Sequence, residues 1–299
     1  MLLSTYPTRA EARAYIRSVL LPRERESHKG DHGRAVLACG SAEYAGAAIL
    51  AAEGALRAGA GLTYLLSVGE ATAAARARLP EVICRTLPPI TEEPEAYLPF
   101  FGAADALLIG CGIGQAGGSE AFCRALSSLL ASEGAPVVLD ADALNLLARQ
   151  GATEILKNAR REVILTPHEM EFSRLSGLSL DEIKADRVGA ACRFAALTGA
   201  VVLLKGAGSV VARADGGFAV CPSGSPALAK GGTGDVLAGL TVGLIAGGLD
   251  PFASVFCAAY LHGEAGEALE RQYSERGVLP SELPRTAAML LREYLAEET

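Results

Sequence analysis

Short apolar runs recur along this chain with helical patterns between most of them. They are AVLACG (35–40), LTYLLSV (62–68), DALLIG (105–110), PVVLDAD (136–142), VILTP (163–167) and VVLLKG (201–206). Each has the length and branching of a buried strand, and strand alternating with helix predicts a mainly parallel sheet with helices on both faces. GAAILAAEGALRAGAG (46–61) and DEIKADRVGAACRFAALTGA (181–200) are the clearest helical stretches, each ending at glycine. SVVARADGGFAVCPSG (209–224) reads as a hairpin turning at Asp215–Gly217. No linker, charge block or repeat divides the 299 residues, so the expectation is one large α/β domain, 1–299, with a short helical extension over 1–27.

In sheets of this kind ligands bind beyond the carboxyl ends of the strands. The unusual residues fall there: CGS after the first run, GCGIG after the third, DADALN after the fourth, TPHEME after the fifth and KGAGS after the sixth. Each has a plain explanation. GCGIG (Gly110–Gly114) serves as a strand-to-helix turn and lacks the third glycine of a dinucleotide fingerprint. Asp142 of DADALN, beside Asp140 and Asn145, serves as a helix cap. His168 and Glu171 serve as a local hydrogen-bonded pair, and Lys205 as a surface lysine beside a turn. His28 and His32 in HKGDH lack the helix and glutamate of a zincin, and no metal is assigned to them.

AKGGTGDVLAGL (229–240) is the hardest to dismiss. Asp235 alone suits a helix N-cap, but a cap needs no glycines. Gly231, Gly232, Thr233 and Gly234 would instead turn bare N–H groups toward an anion at a helix mouth, with Asp235 beside it. Neither this stretch nor KGAGS has the order of a P-loop. Beyond Asp235 the pattern is amphipathic, with Leu237, Leu240 and Leu244 on one stripe and Gly239, Gly243 and Ala246 on a second that admits another helix closely.

Net charge excludes one class of partner. With 27 Lys+Arg against 34 Asp+Glu and no basic stripe, nucleic-acid binding is not expected. The seven cysteines show no C-x-x-C spacing and read as reduced, mostly buried thiols. The start has too short an apolar stretch for a signal peptide, and the run Val236–Leu249 is short and glycine-rich for a membrane span. A cytoplasmic protein without membrane contact is expected.

Taken in order, the motifs KGDHGRAVLACGS, YAGAAILAAEGALRAGAGL, LLIGCGIG, VVLDADALNLL, LTPHEMEFSRL, LLKGAGSVVA, LAKGGTGDVLAGL and YLHGEAG resemble those of the ADP-dependent NAD(P)H-hydrate dehydratases, which have a ribokinase-like fold. The resemblance implies dehydration of the hydrated nicotinamides NADHX and NADPHX to NADH and NADPH, with ADP consumed and AMP and phosphate released. It implies that Ala47, Gly112, His168 and Asp235 touch the hydrated dinucleotide. Lys205, Gly206, Ala207, Gly208, Ser209 and Gly234 would touch the adenine nucleotide. Asp235 would be the general base, and Mg²⁺ would accompany the nucleotide near Glu171 through water. A homotetramer is implied, as is a separate NAD(P)HX epimerase, since about 27 residues precede HKGDH. Cys111 departs from the usual proline of IGPG, and PHEMEF from PHPGE. The alternatives are a kinase of the same fold that phosphorylates the hydroxyl of a small vitamin precursor, and a nucleotide-binding regulator without turnover.

Overall fold

The architecture comes from a computed structural model that describes residues 3–115 and 119–295. All six expected runs form strands: β1 Arg34–Ala38, β2 Leu62–Ser67, β4 Ala106–Ile109, β5 Val137–Leu139, β6 Val163–Leu165 and β7 Val201–Leu204. The hairpin is present as β8 Val210–Ala212 and β9 Phe218–Val220, and β3 Ile83–Thr86 is an additional strand. One sheet holds them in the order β3-β2-β1-β4-β5-β6-β7-β8-β9. It is parallel from β3 to β7 and antiparallel through the hairpin. β3 escaped the sequence reading because this edge strand is only half-buried or exposed and carries no continuous apolar run.

Alternate residues of each strand enter opposite core layers, as the period of two demands. Leu37, Leu108, Val138, Ile164 and Leu203 pack with the helices Ala45–Ala58, Thr233–Ala246 and Pro251–Tyr273. Val36, Leu107, Val137, Leu165 and Val202 pack with the helices Ser119–Leu130, Asp142–Arg149 and Arg187–Thr198.

The Thr233–Ala246 helix is apolar all round rather than amphipathic: from Val236 to Ala246 every residue is buried. Sheet and helices surround it, so no face is left for polar residues. Its glycine stripe acts as expected. A Cβ on Gly239 would stand 2.1 Å from the Ala51 carbonyl oxygen and one on Gly243 2.6 Å from that of Ala55, so only bare backbone allows the Ala45–Ala58 helix so near. This packing fixes where the Thr233 end of the helix points, which is toward the carboxyl ends of the strands.

The stretch 181–200 is not one helix. Leu180–Ala185 ends at Asp186, whose carboxylate accepts from the Gly189 N–H at 2.8 Å and starts Arg187–Thr198. Near the beginning of the chain, Arg9–Val19 is a helix closed by a Thr8/Glu11 capping box. All seven cysteines are free and five are buried, in keeping with the reduced thiols expected.

Candidate active site

The helix that carries Asp235 begins at Thr233, and its N-cap is Gly232 at φ 101°, a left-handed conformation that glycine adopts without strain. Asp235 is therefore the third helical residue, one turn too late to cap. Its carboxylate lies with Cys111 Sγ and an Asp140 carboxylate oxygen in a cluster whose ligand atoms are all within 4.8 Å of one another. Burial, and then the charge of Asp140, push the Asp235 pKa up to about 6; the Cys111 thiol and Lys205 pull it the other way.

Asp140 itself is 1% exposed. Its Oδ1 accepts from Lys205 Nζ at 2.8 Å and from Thr166 Oγ1 at 2.8 Å, which leaves Oδ2 facing Cys111 Sγ at 3.8 Å. Lys205 is thus the outer half of a largely buried ion pair, with 18% of its side chain exposed against 2% for Asp140, and not the surface lysine of the simpler sequence reading. The reason is topological: β5 and β7 flank β6, so Asp140 and Lys205, 65 residues apart in sequence, end side by side. Burial opposes the Lys205 charge, but Asp140 and Glu171 outweigh it and hold its pKa above the ordinary lysine value.

His168 caps the Glu169–Ser176 helix. Its Nδ1 accepts from the Met170 and Glu171 N–H groups at 3.1 and 3.3 Å, which places the ring proton on Nε2, 3.2 Å from Glu171 Oε1. Glu171 Oε2 accepts the His168 N–H at 2.9 Å. The local pair read from the sequence is present, and half of the His168 side chain remains exposed beside it. Burial would raise the Glu171 pKa, yet the hydrogen bond from His168 and the charge of Lys205 keep it below the usual carboxylate value.

Asp142 does not cap its helix, because Ala141, in a strained conformation at φ 49°, occupies the N-cap. Its carboxylate instead accepts from the Gly114 N–H at 2.9 Å and Gln115 Nε2 at 2.8 Å and ties the GCGIG loop to the end of β5. In that loop a Cβ on Gly112 would lie 2.7 Å from the Ala47 Cβ, so these two expected substrate contacts are neighbours. On the other side of Asp235 opens a cavity of about 720 Å³ lined by Lys205–Ser209, Ser223–Pro226, Thr233, Gly234 and His262. Ser209 closes its KGAGS rim by hydrogen bonds to both backbone groups of Gly206. A Cβ on Gly234 would stand 3.4 Å from Lys205 Nζ, which places Gly234 directly over the ion pair.

A sequence model of NAD(P)H-hydrate dehydratase matches residues 35–288. The chain is 36% identical over 277 residues to the ADP-dependent (S)-NAD(P)H-hydrate dehydratase of Bacillus subtilis, covering 90% of this chain and 92% of that protein. The chain belongs to the NAD(P)H-hydrate dehydratase family. The crystal structure of the ADP/ATP-dependent dehydratase from Bacillus subtilis, co-crystallised with ATP/Mg²⁺, superposes with a TM-score of 0.81 at 32% identity over 94% of this chain and 97% of that one. A ribokinase-like superfamily protein from Enterococcus faecalis superposes with a TM-score of 0.82 at 27% identity, over 97% and 95%. The ribokinase-like fold expected from the motifs is thereby shown. The chain spans about half the length of the bifunctional NAD(P)H-hydrate repair enzymes that it also matches, 54% of the one from Moorella thermoacetica.

Within this family member the fold gathers the expected residues into two adjoining groups. Ala47, Gly112, His168 and Asp235 lie over the ends of β1, β4 and β6, and Lys205–Ser209 and Gly234 line the cavity beside β7. Thr233 holds the glycine turn from within, with its N–H bonded to the Lys230 carbonyl at 3.3 Å and its hydroxyl to the Leu228 carbonyl at 2.9 Å.

Several residues went unnoticed in the sequence. Thr166 orients Asp140. Arg187 pairs with Glu169 and donates to the Leu204 and Lys205 carbonyls, bracing the KGAGS loop from behind. His262 forms a wall of the cavity with its Nε2 unpartnered, and burial lowers its pKa to about 4, so it is neutral. Thr166 and His262 sat in recognisable motifs, TPHEME and YLHGEAG, without being singled out; Arg187 has no local signal. Among the described residues no helix is long and apolar enough to cross a membrane.

Proposed function

We propose that this protein dehydrates (6S)-NADHX and (6S)-NADPHX to NADH and NADPH at the expense of ADP. One observation carries the reading: a carboxylate with a pKa of about 6, Asp235, stands between the neighbouring Ala47 and Gly112 on one side and a nucleotide-sized cavity on the other. A base poised near the working pH is what removal of an alcohol proton requires.

Asp235 takes the proton from the C6 hydroxyl as that oxygen attacks the β-phosphorus of ADP; the bond to the bridging oxygen breaks and AMP leaves. Lys205 and the backbone N–H groups of Gly231, Gly232 and Gly234 stabilise the charge on the phosphoryl oxygens, whereas the Thr233 N–H, expected among them, is taken by the Lys230 carbonyl. The C6–O bond then breaks as the ring nitrogen donates its lone pair, phosphate departs, and loss of a proton from C5 restores the dihydronicotinamide. His168, held in place by Glu171 through both its ring Nε2 and its backbone N–H, presents the half-exposed edge of its ring to the dinucleotide. Buried His262, which is neutral, shapes the nucleotide cavity.

Mg²⁺ fits this site in one respect. Glu171 is a buried carboxylate kept ionised, and both its oxygens already accept hydrogen bonds from His168, so it suits a water-mediated contact rather than direct ligation. Bound with the nucleotide, the ion would neutralise phosphate charge. We assign the protein to a homotetramer that works with an NAD(P)HX epimerase activity in the cytoplasm, on the family resemblance alone.

The test is direct. Incubation with NADHX and ADP should yield NADH and AMP in equal amounts, with ADP supporting a higher initial rate than ATP. A stable phosphorylated product without NADH would mark a kinase instead, and a clear preference for ATP would sink the ADP-dependent assignment.

A further inference from the structure

Beyond the dinucleotide side of the site, on the flank away from the nucleotide cavity, lies a second hollow of about 390 Å³ lined by Gln115, Asn145, Ala148, Arg149 and Arg174. It sits among the segments that follow β4, β5 and β6, and it is built on the same struts as the GCGIG loop. Gln115 Nε2 donates to Asp142 Oδ1, and Asn145 lies one turn further along the helix that Asp142 begins.

Two guanidinium groups face this hollow, and neither has an acid for a partner. Arg174 Nη1 donates to Asn145 Oδ1 at 2.8 Å, and Arg149 Nη2 donates to Gln115 Oε1. Among the described residues no carboxylate forms an ion pair with either, whereas Arg9, Arg13, Arg160 and Arg187 all do so elsewhere. The nearest acid in the network, Asp142, has each oxygen occupied by an N–H donor. Two positive charges are therefore aimed by neutral amides and left uncompensated. An amide oxygen is a weaker acceptor for guanidinium than a phosphate, which takes paired, charge-assisted hydrogen bonds. The hollow has room for a phosphate monoester and its sugar.

We infer that the Arg149–Arg174 hollow receives the ribose phosphate monoester that distinguishes NADPHX from NADHX, and so makes this enzyme prefer NADPHX. The inference rests on the dinucleotide lying over Ala47, Gly112 and His168, as proposed above. The ring end of the dinucleotide is then at Asp235, and its far end extends across the β4–β6 loops toward the two arginines.

The experiment compares Arg149→Ala, Arg174→Ala and the double variant with wild type, using NADPHX and NADHX as substrates and NADPH and NADH as ligands in calorimetric titration. Both arginines are exposed, and an unchanged melting temperature would establish that the variants fold. Wild type should favour NADPHX in kcat/KM. Each single variant should lose roughly tenfold or more of kcat/KM on NADPHX, the scale of a lost hydrogen bond to a charged group. The loss should fall in KM and leave NADHX within about threefold, and Arg174→Lys should recover part of it. NADPH affinity should fall in parallel while NADH affinity holds. Equal losses on both substrates, or none on either, would reduce the arginines to ties between neighbouring helices and overturn the inference. If wild type turns over neither hydrate, the dehydratase reading fails by itself, and the NADPH-against-NADH titration still decides the role of the hollow.

Discussion

Two buried carboxylate clusters in this molecule differ in how completely their charge is answered. Glu264, 5% exposed, accepts from Arg13 Nη2 at 2.7 Å, from the Tyr260 hydroxyl at 3.0 Å and from the Tyr294 hydroxyl. It joins the Pro251–Tyr273 helix to the first and last described helices. Burial first, and then the Glu264 carboxylate, hold the Tyr294 pKa far above its ordinary value. At the strand ends, by contrast, Asp140 and Asp235 share a single ammonium, and the shortfall appears as the raised pKa of Asp235. Burial of an acid is common to both. An unanswered charge beside a cavity is found only in the second, and it is the feature that supports chemistry.

The largest expected effect breaks the comparison at its reactive member. Asp235→Asn should lower NADHX turnover at least roughly a hundredfold, the low end of general-base losses, while ADP still binds. Because the native pKa lies above the unfolded value of 3.8, the ionised Asp235 costs stability at pH 7. The amide should therefore raise the melting temperature, with a gain on the order of 1–3 kcal/mol at about 1.4 kcal/mol per pKa unit. A variant that keeps more than about a tenth of turnover is too active to have lost its base.

Lys205→Ala comes next. An exposed lysine would have been lost without structural cost, but here the substitution strands Asp140 in the interior, and about 3–5 kcal/mol of stability should go with nucleotide affinity. Chemical denaturation of Lys205→Ala, Asp140→Ala and the double variant would measure the coupling. Additive losses would show that the pair is not the unit described.

Glu264→Gln probes the answered cluster. It should cost about 1–3 kcal/mol by leaving hydrogen bonds weakened or unmade, with kcat/KM unchanged below the melting transition. A loss of activity without a loss of stability would contradict the contrast drawn between the clusters.

The smallest effect is in the pH dependence. The lowered pKa of His262 makes the fold lose stability as pH falls from about 6.5 to about 4, since only the unfolded chain gains the proton. Asp235 acts in the opposite sense between about 6 and 3.8. Melting temperatures over that range should therefore fall more steeply with acid in Asp235→Asn than in wild type, and kcat/KM of wild type should rise through about pH 6 as the base ionises.

Much of this was written in the order of residues. The six apolar runs, the glycine-ended helix over 46–61 and the hairpin at Asp215–Gly217 all became the elements expected, because each is specified by its own periodicity and turn chemistry. Departures occurred where a capping residue or a neighbour in space overrode the periodic pattern. Asp186 interrupts a stretch that is helical by pattern, and β3 is held by pairing with β2 although its own residues are half exposed. Asp142 looked like a cap until Ala141 was found in that position.

The sequence by itself determined that an α/β sheet would form and that glycines, acids and a lysine would stand at its strand ends, since helical and strand periods and turn residues are local properties. Only the tertiary structure decided which of those groups are partners. Strand order brought Lys205 beside Asp140, and the bare backbone of Gly239 and Gly243 set the depth of the helix that presents Asp235. A shift in a carboxylate's pKa depends on burial and on charges a few ångströms away, and those distances are settled by how the sheet is assembled, not by spacing along the chain.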